Sequence, residues 1–584
     1  MGSAFDPADR LPVVPSTGEA KRECDVLVAG SGAGGLAAAV TVARLGLEVV
    51  VAEKEPYFGG TTAVSGGVLW VPCNPVSVRA GVVDDSVEDA RSYLRHVAGN
   101  FFDPEKVDAF LLNGPRMVDF FERETSVSFD AVTAFPDYYP AAPGGRPGGR
   151  CLVARPFDGR QLGERLKDLR PPLREITFVG MMFNSSQEVQ HFFNATRSLK
   201  SSAYVARRLM SHARELATHG RATRLTNGNA LVARLAKSAL DLGVPIWTSA
   251  SVADLIVERG AVKGAVIETA DGRSTVRARR GVVLATGGFP QDIDWRKALF
   301  PHAPTGREHL SPAPPGNTGD GLGLATSAGG RLQHDLPNAG AWVPVSRVPR
   351  GDGGFGVFPH LIDRYKPGII AVTRHGLRFA NESDSYHDMG RAMIDTCKGE
   401  PETAAWLICD HRAIRRYGLG FVKPFPLPLG PHLRSGYLLR GPTIAELAER
   451  AGIDPVGLRH TIDAVNADAR SGVDTAFGKG STAYNRYLGD HRHSPNPCFA
   501  AIDKAPYYAV KVVLGDVGTF AGIRTDAQAQ VIDSAGHPIA GLYAAGNDMA
   551  SMMGGSYPGA GTTLGPAMTF GYIAARHMAG VLAR

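Results

Sequence analysis

A glycine motif near the start of the chain limits the possible folds more than any other feature of the sequence. An apolar run from Cys24 leads into Gly30-Ser-Gly32-Ala-Gly-Gly35, and an alanine-rich helical stretch follows. A second apolar run begins at Glu48 and ends at Glu53. Strand, glycine turn, helix, strand and terminal acid together form the fingerprint of a dinucleotide-binding βαβ unit. The sequence therefore predicts an α/β fold that begins in this unit.

Each of these residues has its own expected role. Gly30 allows a tight turn, Gly32 lets the backbone approach a pyrophosphate, and Gly35 allows the helix to pack closely on the strand. Glu53 would accept hydrogen bonds from the ribose hydroxyls. Because the glycine pattern alone is a weak signal, the prediction depends on the complete βαβ context around it.

A second glycine-rich segment, Gly-Gly-Ser-Tyr-Pro-Gly-Ala-Gly-Thr-Thr-Leu-Gly-Pro, lies near the end of the chain at residues 554–566. It combines five glycines and two prolines with the potential hydrogen-bond donor Tyr557, and a helical pattern from Ala567 to Leu582 follows. Unpaired N–H groups and the dipole at a helix N-terminus favour negative charge. The segment therefore predicts a place where negative charge is held beside a phenol.

Composition and charge argue against several classes of function. The 63 basic and 57 acidic residues leave a net charge of +6, which gives no case for a nucleic-acid partner. The six cysteines are far apart and none has the spacing of a zinc site, so we expect reduced, structural thiols and no metal. No apolar stretch reaches the roughly 20 residues that span a bilayer, and residues 1–22 are unlike a signal peptide. We expect a cytoplasmic protein, with loose contact between a surface patch and a membrane as an open alternative.

Two later segments favour FAD over NAD as the dinucleotide. Val282–Phe289 is an apolar run that ends in Thr-Gly-Gly-Phe, and Gly541–Asn547 is a second run of this kind. They resemble the segments that FAD proteins of the glutathione reductase-like superfamily add to the first fingerprint. The resemblance implies a glutathione reductase-like, FAD-binding Rossmann domain to which the chain returns at its C-terminus.

The middle of the chain is then an inserted domain. We predict an FAD-binding domain formed by residues 1–345 and 516–584, and an inserted α+β catalytic, or cap, domain formed by residues 346–515. Within the insert, Pro367–Phe379 has the pattern of an extended run and Thr443–Gly452 that of a helix.

The segment Gly59–Pro72 resembles the flavin-cradling loop of the fumarate reductase/succinate dehydrogenase flavoprotein class. Members with covalent FAD carry a histidine near this loop, and none lies between Gly59 and Asn74. The resemblance therefore implies non-covalent FAD. The residues expected to bind it are Gly30, Gly32, Ala33, Gly34, Gly35, Glu53, Lys54, Gly60, Thr61, Thr62, Ser65, Gly66, Gly67, Thr286, Gly287, Gly288, Gly546, Asn547, Thr563 and Leu564.

Within that class, the chain is most similar to the bacterial 3-ketosteroid Δ1-dehydrogenases, from about Cys24 to the C-terminus. The similarity rests on the flavin loop, on Pro136-Asp-Tyr-Tyr-Pro140, on Arg378-Phe-Ala-Asn-Glu-Ser-Asp-Ser-Tyr386 and on the Tyr-Pro-Gly-Ala-Gly segment. That family oxidises the C1–C2 bond of a steroid A ring with a 3-keto group, and uses three tyrosines and one glycine N–H. By motif position, these residues are Tyr138, Tyr386, Tyr557 and Gly561, with Tyr139 as an alternative to Tyr138.

The resemblance also implies a role for each residue. Tyr386 would take the proton from C2, and Tyr138 would assist by donating a hydrogen bond, because a free phenol with a pKa of about 10 is a poor base at neutral pH. The Tyr557 O–H and the Gly561 N–H would hold the developing enolate oxygen. The hydride from C1 would pass to flavin N5. The expected partners are therefore a 3-ketosteroid and an unidentified electron acceptor; we assign no role to His387.

Three alternatives remain at this point. The first two belong to the same flavoprotein class: a fumarate reductase-like enoate reductase and a steroid dehydrogenase acting at C4–C5. A carboxylate substrate needs cationic groups, and residues 554–566 contain no Arg, Lys or His, which counts against the first. The third is a flavin-bound protein that carries or senses a steroid without turnover. Candidate pocket residues are Phe135, Phe289, Phe355 and Phe520, each of which could equally belong to a core.

Overall fold

The computed structural model describes residues 22–183, 188, 191–192, 195 and 198–581. Residues 1–21 of the predicted polar N-terminus and the predicted helix end at Leu582 lie outside this part. The strands are β1 (Arg22–Ala29), β2 (Val49–Ala52), β3 (Val68–Trp70), β4 (Phe129–Val132), β5 (Cys151–Ala154), β6 (Phe157–Asp158), β7 (Arg224–Leu225), β8 (Ile246–Trp247), β9 (Ser251–Glu258), β10 (Ala261–Thr269), β11 (Gly272–Leu284), β12 (Leu332–Gln333), β13 (Gly340–Pro349), β14 (Phe355–Pro359), β15 (Ile369–Val372), β16 (Ala404–Asp410), β17 (Leu439–Gly441), β18 (Tyr507–Thr519), β19 (Gly522–Ile523), β20 (Gln530–Ile532) and β21 (Pro538–Ala544).

The helices are α1 (Ala33–Arg44), α2 (Gly60–Val64), α3 (Pro75–Arg79), α4 (Val87–Ala98), α5 (Pro104–Glu124), α6 (Leu199–His219), α7 (Asn227–Asp241), α8 (Ile293–Leu299), α9 (Asp320–Ser327), α10 (Tyr386–Thr396), α11 (His411–Tyr417), α12 (Gly430–Arg434), α13 (Ile444–Ala451), α14 (Pro455–Ala469), α15 (Ala483–Tyr487) and α16 (Leu564–Met578). Short 3₁₀ segments lie at Gly99–Phe101, Gly159–Asp168, Arg174–Ile176 and Gly546–Asp548. Among the described helices, none is both long enough and apolar enough to cross a bilayer.

The larger sheet has a parallel centre. Within the described residues it contains eight strands, of which β21, β11, β1, β2 and β8 lie side by side in parallel pairs. β20 pairs antiparallel with β21, and β9 and β10 form an antiparallel extension from β11. The buried faces of β1 and β2 are almost entirely apolar, as is typical of a parallel sheet covered on both sides. This confirms the predicted α/β class.

The glycine motif forms the predicted βαβ unit. β1 starts at Arg22, two residues before the predicted start, and residues Val26–Ala29 pair in parallel with Val49–Ala52 of β2. α1 between them ends at Arg44. In the same register, Ala29 lies opposite Leu284 of β11, which lies opposite Ala544 of β21. The segments that follow these strands therefore emerge together at one edge of the sheet, where ligands bind in open α/β sheets.

The C-terminal helix lies beside the motif. α16 packs along α1, and the two backbones approach so closely that a Cβ on Gly571 would be 2.4 Å from the Gly34 carbonyl oxygen. The helix begins at Leu564, three residues before the predicted start. Its N-terminus and the segment 554–563 are thereby held at the same edge as the motif.

The second sheet is antiparallel and lies in the middle of the chain. Within the described residues it has six strands in the order β14, β13, β18, β16, β15, and β17 also pairs with β18. α13 and α14 bury a second apolar core against it, which includes Ile408, Leu447 and Ile462. Its strands begin at Gly340 and end at Thr519, close to the predicted insert of residues 346–515. The division into two domains stays a prediction.

All six cysteines are unpaired, and five of them are buried. Burial raises the pKa of the Cys151 thiol far above its ordinary value. Such thiols are packing residues rather than nucleophiles.

A buried ion cluster shapes the segment that leads into α10. Arg378 donates two hydrogen bonds to the Glu382 carboxylate, both at 2.8 Å, and two to Asp474 at 2.8 and 2.9 Å. The Lys479 ammonium lies 3.4 Å from Glu382. Burial acts to raise the pKa of Glu382, but the charges of Arg378 and Lys479 outweigh it and bring the pKa to about 2. Because α10 begins at Tyr386, four residues after Glu382, the cluster fixes where that helix starts.

We expect Glu382→Gln to lower the free energy of unfolding by about 3–5 kcal/mol, because the exchange leaves two buried cations without their shared carboxylate. Denaturant unfolding followed by circular dichroism measures this loss. The pKa of Glu382 falls from 4.5 to about 2 on folding, so its ionised form stabilises the fold above pH 4.5 and this stabilisation is lost as the pH falls towards 2. Glu402→Gln, which removes an exposed pair with Lys511, is the control and should change little. Equal effects of the two exchanges would contradict this account.

Candidate active site

The glycines of the N-terminal motif have two kinds of surroundings. A Cβ on Gly30 would lie 2.2 Å from the Ala285 carbonyl oxygen, and one on Gly35 would lie 2.1 Å from the Gly30 carbonyl oxygen. These two positions need glycine for packing within the protein. Gly32 differs, because its nearest neighbour would be the Thr62 hydroxyl at 3.6 Å. Space above Gly32 is thus open, as the approach of a pyrophosphate requires.

Other predicted cofactor residues border open space too. A Cβ on Gly60 would meet nothing closer than 3.6 Å, and at Gly66 and Gly546 nothing lies within 4 Å. α1 starts after Gly32 without a side-chain cap, so its N-terminus offers positive potential to an anion. The uncapped N-terminus of α1 and the open space beside Gly32, Gly60, Gly66 and Gly546 together fit the diphosphate and the ring system of FAD.

Glu53 is held in place at the end of β2. Ser31 donates to one carboxylate oxygen through its backbone N–H at 3.1 Å and its hydroxyl at 2.5 Å, and the Glu55 N–H donates to the other oxygen at 3.0 Å. Burial raises the pKa of Glu53, while the hydrogen bonds from Ser31 act in the opposite direction. The Ser31 hydroxyl also accepts the Gly59 N–H at 2.9 Å, which ties the flavin loop to the motif.

A buried carboxylate that the sequence reasoning missed organises the loop after β11. Asp548 accepts the Thr286 N–H at 2.6 Å and the Gly288 N–H at 2.8 Å, and the Thr286 hydroxyl at 2.8 Å. Burial raises the pKa of Asp548, and these hydrogen bonds oppose the shift. The N–H groups of Thr286 and Gly288 are therefore hydrogen-bonded to Asp548. The only sequence signal for Asp548 was that it directly follows the predicted cofactor residue Asn547.

The remaining predicted cofactor residues lie around the same edge. Asn317, which had no signal in the sequence, donates to the Thr61 hydroxyl at 2.9 Å and the Gly287 carbonyl at 3.1 Å. Lys54 instead donates to Thr318 and Asp320 at 2.8 Å each and is 41% exposed. The other predicted residues contact one another or lie at the start of a helix. The Ala33 N–H donates to the Thr62 hydroxyl, and the Ser65 hydroxyl accepts the Gly67 N–H. Gly34 lies against Gly546, Asn547 lies near Gly288, and Thr563 is the N-cap of α16, which begins at Leu564.

Three tyrosines from distant parts of the chain form one buried cluster. The ring centroids of Tyr138 and Tyr386 are 5.8 Å apart, those of Tyr386 and Tyr557 5.1 Å, and those of Tyr138 and Tyr557 5.8 Å. Tyr138 follows β4, Tyr386 begins α10, and Tyr557 precedes α16. The cluster therefore joins the segment after β4, the start of α10, which packs on β13, and the loop that leads into α16.

The three phenols of the cluster affect one another's pKa. Burial raises the pKa of Tyr386 well above its ordinary value, the nearby Tyr557 adds to this, and interaction with the Tyr138 hydroxyl lowers it. Burial likewise raises the pKa of Tyr557, and interaction with Tyr386 acts in the opposite direction. A neighbour that lowers the pKa of Tyr386 favours its phenolate form.

The structure separates the two adjacent candidates Tyr138 and Tyr139. The Tyr139 hydroxyl donates to both oxygens of Asp388 at 2.8 Å, outside the three-tyrosine cluster. Tyr138 is the member of the pair that belongs to the cluster.

Trp70 and Asp137 hold Tyr138 in position. The Trp70 indole N–H donates to one oxygen of Asp137 at 2.8 Å, and Arg150 and the Arg146 N–H donate to the other at 2.8 and 3.1 Å. Burial raises the pKa of Asp137 to about 6, against the effect of Arg150. The Tyr138 N–H donates to the Pro558 carbonyl at 2.9 Å, so Tyr138 is also tied directly to the Tyr557 loop.

The same tryptophan shapes the loop that carries Gly561. A Cβ on Gly559 would lie 2.8 Å from the Trp70 ring, and one on Gly565 would lie 2.2 Å from its carbonyl oxygen. Gly561 has φ +93°, and its carbonyl accepts the Trp70 N–H at 3.1 Å and the Gly565 N–H at 3.0 Å. Within the described residues, the Gly561 N–H donates to no backbone carbonyl outside helices and strands.

Two more tyrosines extend the cluster and were missed from the sequence. The Tyr484 ring centroid is 4.5 Å from that of Tyr138, and the Tyr484 and Tyr365 hydroxyls are 2.6 Å apart. Both rings are fully buried. Tyr484 lies in a long polar stretch of sequence, which gave no signal of its position beside Tyr138.

His387 lies near the cluster but is a poor base. Its Nδ1 accepts the Trp342 N–H at 3.2 Å, and burial lowers its pKa to about 3.

The candidate pocket phenylalanines divide into three groups. Phe520 lies 6.1 Å from Tyr557 and Phe135 6.4 Å from Tyr484 between ring centroids, Phe289 packs in a core against Trp295, and Phe355 is exposed.

Comparison with known proteins identifies the family of the chain. The family model described as FAD binding domain matches residues 25–564. The chain is 44% identical to a 4-oxocyclohex-2-ene-1-carboxylate 5-dehydrogenase of Sinomonas cyclohexanicum, over 95% of this chain and 94% of that protein. It is 39% identical to a 3-oxosteroid 1-dehydrogenase of Mycobacterium tuberculosis, over 96% of this chain and 98% of that protein.

A solved structure extends the likeness to three dimensions. The crystal structure of a 3-ketosteroid Δ1-dehydrogenase from Sterolibacterium denitrificans, in complex with 1,4-androstadiene-3,17-dione, matches with a TM-score of 0.89 and 35% identity. The match covers 96% of this chain and all of that one. The chain therefore belongs to the FAD-binding-domain flavoproteins of the fumarate reductase/succinate dehydrogenase class, and is an FAD-dependent oxidoreductase acting on CH–CH groups that is related to the 3-ketosteroid dehydrogenases.

Proposed function

We propose that the protein dehydrogenates the C1–C2 bond of a 3-ketosteroid. The observation that carries the proposal is the buried cluster of Tyr138, Tyr386 and Tyr557, with Tyr557 in the glycine-rich loop that also carries Gly561. The relatives named above, which act on a ring with a ketone, support the same chemistry. A cytoplasmic location and non-covalent binding of FAD stay predictions, and the electron acceptor is unidentified.

The ketone oxygen would bind between the Tyr557 hydroxyl and the Gly561 N–H. Removal of the C2 proton places negative charge on this oxygen, so two donors aimed at it stabilise the transition state more than the ground state. One such donor is worth about 3–4 kcal/mol by analogy with other oxyanion holes. The close packing on Trp70 keeps the donors fixed and avoids reorganisation during the reaction.

Tyr386 would remove the C2 proton. It lies in the same cluster as the oxygen donor Tyr557, so base and donor can act on adjacent atoms of one ring. Tyr138 would donate to the Tyr386 oxygen and stabilise its phenolate, as the lowering effect of that bond on the pKa supports. When bound, FAD supplies the acceptor for the hydride from C1.

The surroundings of the cluster favour a neutral and apolar substrate. Burial has the largest effect on the pKa of Tyr557, and the side chains that follow it are Tyr386, Thr563, Thr562 and Cys151, none of which is cationic. Burial also has the largest effect on the pKa of Tyr138, followed by the tyrosines Tyr386, Tyr484, Tyr557 and Tyr365. A carboxylate of a substrate would need a cation close to it, whereas a steroid would need aromatic and apolar walls such as Phe520.

One finding favours a second candidate, the desaturation of a 4-oxocyclohexene carboxylate. The relative with that activity shares 44% identity with this chain, against 39% for the steroid enzyme. Both reactions remove a proton next to a ring ketone and a hydride from the adjacent carbon. The same tyrosines would serve either substrate, and only the distal part of the pocket would differ.

We expect Tyr386→Phe to retain FAD and steroid binding while kcat falls about 10²–10⁴-fold, which is the range for loss of a general base. Stopped-flow flavin reduction measures the chemical step, and steroid titration of the flavin spectrum measures binding. Tyr139→Phe is the matched control, since its hydroxyl lies outside the cluster, and should keep most of its turnover. Near wild-type reduction by Tyr386→Phe would exclude Tyr386 as the base.

Activity should rise with pH. Burial raises the pKa of Tyr386 above its ordinary value, so the phenolate fraction, and with it kcat/KM, should rise about tenfold per pH unit below that pKa. Tyr138→Phe removes a bond that lowers this pKa, so its profile should move to higher pH. Tyr139→Phe should follow the wild-type profile. A profile for Tyr138→Phe that stays in place or moves to lower pH would contradict the assisting role.

A direct comparison of substrates separates the two candidates. We expect a 3-keto-4-ene steroid with an artificial electron acceptor to yield the 1,4-diene, with kcat/KM well above that for 4-oxocyclohex-2-ene-1-carboxylate. Product identity is established by mass spectrometry. Turnover of the carboxylate alone would replace the steroid proposal by the second candidate, and reduction of the flavin by neither compound would exclude both.

A further inference from the structure

The side chain of Lys423 places a cation beside two aromatic rings. Its ammonium lies 5.8 Å from the ring centroid of Phe358 and 5.7 Å from that of Phe421. Burial lowers the pKa of Lys423, and the negative charge of Asp363 acts in the opposite direction. In the described part of the chain, the ammonium has neither a hydrogen bond nor an ion pair to a carboxylate. Since removing an ammonium from water is costly unless an anion compensates, this position favours a negatively charged ligand.

Asp363 does not serve as that anion. One of its oxygens accepts hydrogen bonds from the His360 ring at 2.7 Å and from the Gly420 N–H at 2.9 Å. Its other oxygen is closed off from solvent and has no hydrogen-bond partner among the described residues. The carboxylate is thus committed to His360, whose Nε2 lies 2.8 Å from the Ser346 hydroxyl. Lys423 is only half-buried, so its ammonium can be reached by a group from outside the chain.

Lys423 lies on the same face of the second sheet as α10. Ser346 of β13 pairs with Phe358 of β14, and the side chains of such a pair point to one face. Trp342 precedes Ser346 by four residues in a regular stretch of β13, so its side chain points to that face too. A Cβ on Gly390 of α10 would be 2.5 Å from the Trp342 Cβ. The helix that begins with the proposed base and the Lys423 ammonium therefore share one side of the sheet.

The tyrosines and Lys423 lie at different ends of this face. The Trp342 N–H donates to His387 in the first turn of α10, so Trp342 marks the end that carries the tyrosines. Ser346, whose partner Phe358 contacts Lys423, is four residues further along β13, or about 13 Å at about 3.3 Å per residue. A ligand that reaches both ends is longer than one ring. The ketone and the carboxylate of 4-oxocyclohex-2-ene-1-carboxylate lie on a single ring, whereas a steroid skeleton extends over four fused rings.

We propose that Lys423 binds a carboxylate at the far end of the steroid, so that the substrate is a 3-ketosteroid with an acidic side chain. This inference rests on the proposed function and deepens it. Phe358 and Phe421 would cover the apolar end of the skeleton, and the ammonium would form a charge-assisted hydrogen bond to the acid. The side chains with the largest effects on the pKa of Tyr557 are not cationic. The acid is therefore directed to Lys423 and the ketone to Tyr557.

Two steroids that differ in the charge of the side chain test the proposal. 3-Oxochol-4-en-24-oic acid carries the carboxylate, and its methyl ester is the neutral counterpart. We expect the intact, FAD-loaded enzyme with an artificial electron acceptor to show a higher kcat/KM for the acid. Lys423→Met should lower the ratio of acid to ester kcat/KM about tenfold, mainly through KM, since it removes one charge-assisted hydrogen bond. Lys423→Arg keeps the charge and should retain a preference for the acid.

A control variant and a binding measurement separate this inference from the proposed function. Lys398→Met removes an exposed lysine elsewhere and should leave the ratio unchanged. Thermal unfolding and flavin content verify that every variant is folded. Equal kcat/KM for acid and ester in the wild type, or a ratio that Lys423→Met does not change, would overturn the inference and leave the dehydrogenation itself intact. If neither steroid reduces the flavin, the proposed function fails, and titration of the flavin spectrum still decides whether the acid binds through Lys423.

Discussion

The close packing of the Gly561 loop on Trp70 is the constraint on which the candidate site depends. Gly559 and Gly565 have no room for a side chain against this tryptophan, and the Gly561 carbonyl accepts its N–H. The Trp70 indole is in turn held by Asp137, which directly precedes Tyr138. One buried side chain therefore sets the distance between the loop that would hold an oxyanion and the tyrosine that would assist the base. A site held in this way needs little reorganisation as charge develops.

The third tyrosine depends on a different structural element. Tyr386 starts α10, and the preceding segment is fixed by the buried cluster of Arg378, Glu382 and Asp474 under the second sheet. The Trp70 contacts and this ion cluster involve different residues, and the tyrosines that they support lie side by side. Changes in either support should alter the alignment of Tyr386 with Tyr557. Groups from three distant parts of the chain thereby form a single aromatic cluster.

Much of the fold was predictable because local signals agreed with one another. The motif Gly30–Gly35, the apolar runs around it and the terminal Glu53 specified the parallel βαβ unit, and the later run Gly541–Asn547 returned the chain to the same edge. The segment 554–566 and Tyr386 were found by motif. Asp548, Asn317 and Tyr484 were not, because a buried polar or aromatic residue that acts through distant partners has no periodicity or spacing of its own.

The sequence by itself determined the fold class, the cofactor and the residue types available for chemistry, because glycines at close approaches and apolar runs in parallel strands leave few alternatives. The tertiary structure decided which of two adjacent tyrosines enters the cluster. It directed the Tyr139 hydroxyl to Asp388 and placed the Tyr138 ring beside those of Tyr386 and Tyr557. It also showed that the Thr286 and Gly288 N–H groups serve Asp548. Such choices depend on partners hundreds of residues apart, and only the folded chain brings those partners within hydrogen-bonding distance.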